Sequence, residues 1–324
     1  MKLKWFSIPA FLFLFLVMGS SPGFPDDLGS NLPDKKQESV SPRKATLVIG
    51  RVSANPKKHY VRLKGVVDYA VSRLANRGIS KGRILFARDN RQMIRYLKEG
   101  KVDWVSESVF SALDFMRLAD AEPVLLRWKK NVSEYRSVFF VRKDSGIHGF
   151  ADLAGKEIAF NDAGSTTSFL LPAAVLRKMG VELVPLKTPR APVPENKVGY
   201  FFTGGDESNV SVAVYTGRAD AGAFSNQDWD YTIDTPGPVK KELKIIYKSA
   251  FIPRRLELFR KGLDDRLRQE LAAVLLSAHE NPEGQKALLA YDSTNRFEKL
   301  TPAIWKNLEQ AKDLLRFIGP ELGN

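Results

Sequence analysis

Leu97–Val105 reads LKEGKVDWV, and Val214–Gly222 reads VYTGRADAG. In each stretch a helical segment ends in a glycine, a basic residue follows, and an aspartate opens a short apolar run. The glycine supplies a left-handed helix cap, and the basic side chain suits the negative end of the helix dipole. Two lobes built on one strand–helix–strand unit produce such an echo.

The surroundings of both copies fit that unit. Thr46–Gly50 is a short apolar run that predicts a buried strand. Leu63, Val66, Val67, Ala70 and Leu74 follow at helical spacing, with Gly78 just beyond. Ile84–Ala87 predicts a second strand, Asn90 a cap for the helix carrying Met93, Ile94 and Leu97, and Val102–Val105 a third strand. Further strands are expected at 138–141, 157–160, 182–186, 198–202, 219–224 and 244–247. Helices are expected at 169–179 and 209–215. The tail, with Leu263, Leu267, Leu271, Val274, Leu275 and Ala278 on one face, is expected to be helical. Strands alternating with helices imply an α/β chain with mostly parallel sheets, and loops after the strands meet in a shared crevice.

The chain has 324 residues, enough for about two domains, and a formal net charge of +13. No long Lys/Arg block or aromatic–basic stripe occurs, which argues against a nucleic-acid partner. No cysteine is present, so disulfides, thiol catalysis, cysteine-held zinc and lipid attachment at an N-terminal cysteine are excluded. His59, His148 and His279 form no metal-spaced pair, and no cofactor or metal is expected. Lys2 and Lys4 precede the apolar run Trp5–Met18, and Gly19, Ser20 and Ser21 follow. This predicts a secretory signal peptide over 1–21 and a periplasmic location. The run falls short of the about 20 residues a spanning helix needs, so the chain is not expected to be an integral membrane protein unless the signal is retained as an anchor. Residues 22–44, rich in Pro, Ser, Asp and Lys, read as a flexible tether.

The segment Phe160–Ser168, FNDAGSTTS, carries the chemistry. It reads as strand, glycine-containing turn, hydroxyl run and helix start. The first helical turn leaves N–H groups unpartnered at the positive end of the dipole, and the hydroxyls add donors, which suits an anion. Simple N-capping by Ser165 or Thr166 is the competing reading.

At this point a family resemblance carries the reading further. Tyr135–Ile147 (YRSVFFVRKDSGI), Asp152–Lys156 (DLAGK), the Ser-Thr-Thr-Ser run with Pro172, Gly217–Gly222 and Ser249–Pro253 follow in an order that resembles the phosphate/phosphite/phosphonate-binding proteins of ABC transporters. The resemblance implies a two-lobed type II periplasmic-binding-protein fold, with two mostly parallel sheets flanked by helices and joined by two hinge crossovers. One lobe would hold 45–138 plus 247–324 and the other 139–246. It places a small oxyanion on Ser165, Thr166 and Thr167, with Ser168 beside them. From the facing lobe it draws on loops containing Arg51, Ser53 and Tyr60, and Ser106, Glu107 and Ser108.

The family's Gly-Ser-His segment is replaced here by Gly204-Gly205-Asp206-Glu207. Glu107, Asp206 and Glu207 would disfavour a bare dianion and suit a ligand that also carries a positive group, such as an aminophosphonate. Otherwise Asp206 and Glu207 cap the next helix, and Glu107 pairs with an arginine. Asp220 either binds ligand or, like Asp103, closes a turn. Trp229 could wall the cleft, and Arg254 and Arg255 either lie at the surface or reach the anion. No G-x-S-x-G elbow, phosphate-binding P-loop or H-E-x-x-H helix occurs, so an enzyme is not expected. A phosphoester hydrolase is the weakest alternative. The resemblance implies delivery to an ABC transporter permease, and a sensory role towards a membrane kinase or chemoreceptor is the other option.

Overall fold

The computed structural model describes residues 45–318 apart from residue 54, all within one compact unit, Pro42–Asn324. The expected signal (1–21) and tether (22–44) lie outside the described residues.

In chain order the first lobe opens with β1 (Ala45–Val52), α1 (Pro56–Arg73), β2 (Ile79–Ala87), α2 (Asn90–Lys98), β3 (Trp104–Glu107), α3 (Val109–Ala119) and β4 (Glu122–Lys129). The chain crosses through β5 (Glu134–Tyr135) into β6 (Ser137–Arg142) and β7 (Glu157–Phe160). Then follow α4 (Leu171–Lys178), β8 (Leu183–Pro185), β9 (Val198–Phe202), α5 (Ser208–Tyr215), β10 (Ala221–Ser225), α6 (Asn226–Asp230), α7 (Gly237–Glu242) and β11 (Leu243–Lys248). It returns through β12 (Ile252–Pro253) to β13 (Leu256–Phe259), α8 (Asp265–Ser277), α9 (Pro282–Ala290), β14 (Thr294–Lys299) and α10 (Pro302–Leu315).

Two six-stranded sheets result, ordered β14-β4-β13-β3-β1-β2 and β11-β6-β10-β7-β9-β8. Most strands in each sheet point one way, but the ladders are mixed. In the first sheet β13 inserts antiparallel between β3 and β4, and in the second β6 inserts antiparallel between β10 and β11. The reason is the crossing itself. A chain arriving from the hinge enters each sheet at the edge where the parallel strands end, so it must run against them. The two crossovers are paired side by side, β5 with β12. Ser137 and Ser249 continue the pairing: the Ser137 N–H donates to Ser249 Oγ and the Ser249 N–H to the Ser137 carbonyl.

The sequence echo is a structural device. The Asp103 N–H donates to the Val48 carbonyl, and Asp103 Oδ2 accepts from the Val48 N–H at 2.9 Å. Asp220 repeats this bracket on Glu157, with Oδ2 accepting from its N–H at 3.0 Å. An arginine holds the second carboxylate oxygen each time, Arg260 on Asp103 and Arg190 on Asp220, both at 2.9 Å. Gly100 and Gly217 are left-handed at φ 66° and 72°, as the capping reading requires.

Several local expectations shift. Asp89, not Asn90, caps α2 through the Gln92 N–H. The tail from Leu263 opens as a helix, α8, as expected, but it is not all helical because β14 adds a strand to the first sheet. β13, just before the tail, is not among the expected strands. Its last helix, α10, buries Ile304, Leu308 and Ala311 in a cluster shared with α3 and with Leu171 and Val175 of α4, so it ties the first lobe to the second.

Candidate functional site

The second lobe's half of the site begins where β7 ends. Asp162 Oδ1 accepts from the Gly164 N–H at 2.8 Å, and the Asp162 carbonyl accepts from the Ser165 N–H, which folds the loop into a tight turn. Ser165 is the N-cap, its Oγ accepting from the Ser168 N–H at 3.1 Å. The helix then opens with a π turn over Thr166–Leu170, in which the Leu170 N–H reaches the Ser165 carbonyl. Such wide turns recur at functional sites. The N–H groups of the first turn have no helical acceptor. Thr166 and Thr167 are buried, and the Thr166 side chain is a hydrogen-bond partner of Tyr135 in the hinge. Ser168 leaves the ligand set. Its Oγ donates to the Ala223 carbonyl at 2.7 Å and accepts from the Asn161 N–H at 2.9 Å, so it ties the turn to the sheet.

The first lobe presents the ends of β1, β3 and β4 and the start of β13. A cavity of about 500 Å³ between the lobes is lined by Arg51, Glu107, Ser108 and Arg255 on one side and by Ala163 and Gly164 on the other. Ser108 starts α3, yet its hydroxyl makes no capping bond. Arg51 is buried, and its Nε and Nη1 have no hydrogen-bond partner. Burial, and then the nearby Arg255, push its pKa below the usual arginine value. Glu107 lies 3.7 Å from Arg255, so it is paired rather than bare.

Beneath this surface lies a basic layer that the sequence reading missed. Arg127 is fully buried over the Tyr291 ring, with Glu257 and Asp292 each 3.8 Å away. Lys129, two residues on along β4, is pushed down to about 7 by burial and by Arg255, Arg127 and Arg254. Burial would raise the Asp292 carboxyl, but Arg127, Arg51 and Lys129 outweigh it and hold the group well below the usual range. Alternating basic residues in Arg127-Trp128-Lys129 were the available signal: at period 2 they share one face of a strand.

Other expectations are corrected. Asp220 closes the entry to β10, at the opposite end of that strand from the Ser165 turn, so its carboxylate faces structural partners and not a ligand. Ser106 is buried with Oγ donating to Glu257 at 2.7 Å. Tyr60 is 47% exposed on α1 and does not line the cavity. Trp229, half-buried on α6, packs on Phe140 and Phe224 against the second lobe's core. Arg254 and Arg255 are not free surface residues: Arg254 bonds the Lys129 carbonyl and Gln227, and Arg255 the Ser106 carbonyl. Glu207 starts α5 without a side-chain capping bond. Burial and then Asp228 raise its pKa, while Asn161 bonds its side chain.

Known proteins share this architecture. A family model described as "ABC transporter, phosphonate, periplasmic substrate-binding protein" matches residues 53–305. The phosphate-import protein PhnD of Mycolicibacterium smegmatis is 28% identical over 229 residues, 69% of this chain and 68% of that one. The phosphonates-binding periplasmic protein of Escherichia coli is 28% identical over 211 residues, 63% of this chain and 58% of that one, so the match spans little more than half of that relative. XAC2383 of Xanthomonas citri, solved with chloride and with ATP, is 35% identical, with 84% of this chain and 98% of that chain covered and TM-scores of 0.76 and 0.75. The chain belongs to the family of periplasmic substrate-binding proteins of phosphonate ABC transporters.

Proposed function

We propose that this protein captures a small phosphorus oxyanion (a phosphonate, phosphite or phosphate) between its lobes outside the cytoplasm and delivers it to an ABC transporter permease. One observation carries the reading: Arg51 is buried on the wall of the interlobe cavity with its Nε and Nη1 unbonded, and Ala163 and Gly164, on the turn that leads into Ser165, line the same cavity. A buried arginine without hydrogen-bond partners is costly unless something completes it. Thr166 and Thr167 supply hydroxyls and first-turn N–H groups, Ser108 a free hydroxyl, and Arg51 the charge. The paired β5–β12 crossovers act as the hinge. Ligand contacts made by both lobes at once favour the closed form, since a ligand shifts the equilibrium only through its differential interactions.

The pairing of Glu107 with Arg255 removes one reason to require a positive group on the ligand. Asp206 and Glu207 keep an aminophosphonate in the test panel. XAC2383 was solved with chloride and with ATP, which widens the panel to larger anions. The test is calorimetry of ligand-stripped protein against phosphate, phosphite, methylphosphonate, 2-aminoethylphosphonate, ATP and sulfate. Each charge-assisted bond lost in the Thr166→Ala/Thr167→Ala double variant costs about 1.5–3 kcal/mol, or roughly ten- to a hundredfold in affinity. Unchanged affinity in that variant would refute the site. Silence of every phosphorus compound would refute the ligand class.

A further inference from the structure

We infer that the ligand carries a second anionic group, set apart from the phosphorus oxyanion by an apolar spacer and received by Arg91 at the mouth of the cavity. This deepens the proposed function and rests on it.

Size is the first argument. Cavities of about 300–1,000 Å³ bury drug-sized ligands, whereas a water molecule occupies about 30 Å³. The interlobe cavity, open to solvent and about 500 Å³, has room for more than one tetrahedral oxyanion.

Charge is the second. Four arginines line the cavity: Arg51, Arg88, Arg91 and Arg255. Its carboxylates are already engaged. Asp89 caps α2 through the Gln92 N–H at 2.7 Å and meets Arg88 at 3.2 Å. Glu107 pairs with Arg255, and Asp114 with Arg117. Two arginines are left over. Arg51, at the buried end, has only the 3.9 Å approach of Asp292. The side chain of Arg91, exposed on the first turn of α2, has no ion pair or hydrogen bond among the described residues. The Ser53 N–H bonds the Ala87 carbonyl, which sets the exit of β1 beside the entry to α2 and puts both arginines on one cavity wall.

The apolar part of the lining is the third. Phe110, Leu170 and Leu315 line the same cavity, which suits a carbon spacer better than a chain of phosphates. The substrate class is therefore an organophosphonate or phosphate ester bearing a carboxylate or a second phosphoryl group.

The test compares two ligands of equal length, propylphosphonate and 3-phosphonopropionate, by calorimetry on the ligand-stripped full chain. Salt is held at about 150 mM, where the Debye length is about 8 Å and long-range attraction is damped. The expected result is at least about a tenfold preference for 3-phosphonopropionate, in line with one charge-assisted hydrogen bond. That preference should collapse in Arg91→Ala and persist in Lys98→Ala, which removes a charge from the far end of α2. Equal affinities in the unmodified protein would overturn the inference, as would a preference that survives Arg91→Ala. If methylphosphonate binds but the two propyl compounds are not distinguished, only this inference fails. If no phosphorus compound binds, the proposed function fails with it.

Discussion

Asp220→Ala separates a structural carboxylate from a ligand-binding one. The Asp220 side chain accepts the Glu157 N–H at 3.0 Å and meets Arg190 at 2.9 Å. Removing it strands a peptide N–H between β7 and β10, and losing a hydrogen bond to a charged group costs about 1.5–3 kcal/mol. The Arg190 pair adds little. That side chain is 48% exposed, and exposed pairs contribute about 0–1 kcal/mol. Arg190 also keeps Glu157 and the Gly217 carbonyl as partners. The sum is about 1.5–4 kcal/mol, which at about 2–4 °C per kcal/mol lowers the melting temperature by roughly 3–16 °C. Asp103→Ala should match it, since Asp103 makes the same bracket on Val48. Thermal unfolding reads the loss, and calorimetry at a temperature where both variants are folded should find ligand affinity within about twofold of the unmodified protein. A tenfold loss of affinity in Asp220→Ala without a loss of stability would refute the assignment and return Asp220 to the ligand set.

Two further tests address the first lobe's edge. Ser108→Ala should weaken oxyanion binding by about 0.5–1.5 kcal/mol or more and leave the melting temperature nearly unchanged, because the Ser108 hydroxyl caps nothing in α3; a drop in stability with intact binding would show a cap instead. Lys129, held near 7 against an ordinary 10.5, binds fewer protons folded than unfolded, so its contribution to stability is full above about 10.5 and is lost as pH falls through about 7. The melting temperature should rise from pH 7 towards pH 9 and the rise should flatten in Lys129→Met; an identical slope in both proteins would show that Lys129 titrates normally.

Much of the fold was legible because it is locally encoded. The echoed Gly-basic-x-Asp segments, the apolar runs at 157–160 and 198–202, and the hydroxyl run before α4 each announce themselves within about ten residues. The parts that were not legible are non-local. β13 and β14 are short strands whose neighbours lie more than a hundred residues away, so no turn chemistry marks their pairing. The charged layer at the cavity joins Arg127 and Lys129, which share one strand face, to Arg51, Arg255 and Asp292, which share no motif with them. Ser168 misled for a different reason. Four adjacent hydroxyls look alike in sequence, but only the backbone path decides that Ser165 caps, Ser168 braces the sheet, and Thr166 and Thr167 remain beside the hinge.

The two lobes bring unlike chemistry to the cavity. The second lobe brings the turn through Ala163 and Gly164 that leads to the Ser165 cap, whereas the first brings cations that face one another. Burial and then Arg255 lower the Arg51 pKa, and burial and then Arg255, Arg127 and Arg254 lower that of Lys129. Like charges at such range are held only because carboxylates are buried among them. Asp292 meets Arg51, Arg62 and Arg127 from a left-handed backbone position at φ 54°, a conformation aspartate tolerates better than most residues. Glu257 is wholly buried and accepts from Ser106 Oγ and Trp104 Nε1 beneath Arg127. Such a layer is a poor way to stabilise a core, since buried ion pairs seldom outperform apolar packing. On the proposed function it would keep a cationic floor rigid before the ligand arrives, so that little reorganisation accompanies binding. On the same proposal, affinity would reside mainly in the first lobe and closure in the second: the anion would dock on fixed charge, and the hinge would bring the Thr166 turn to it.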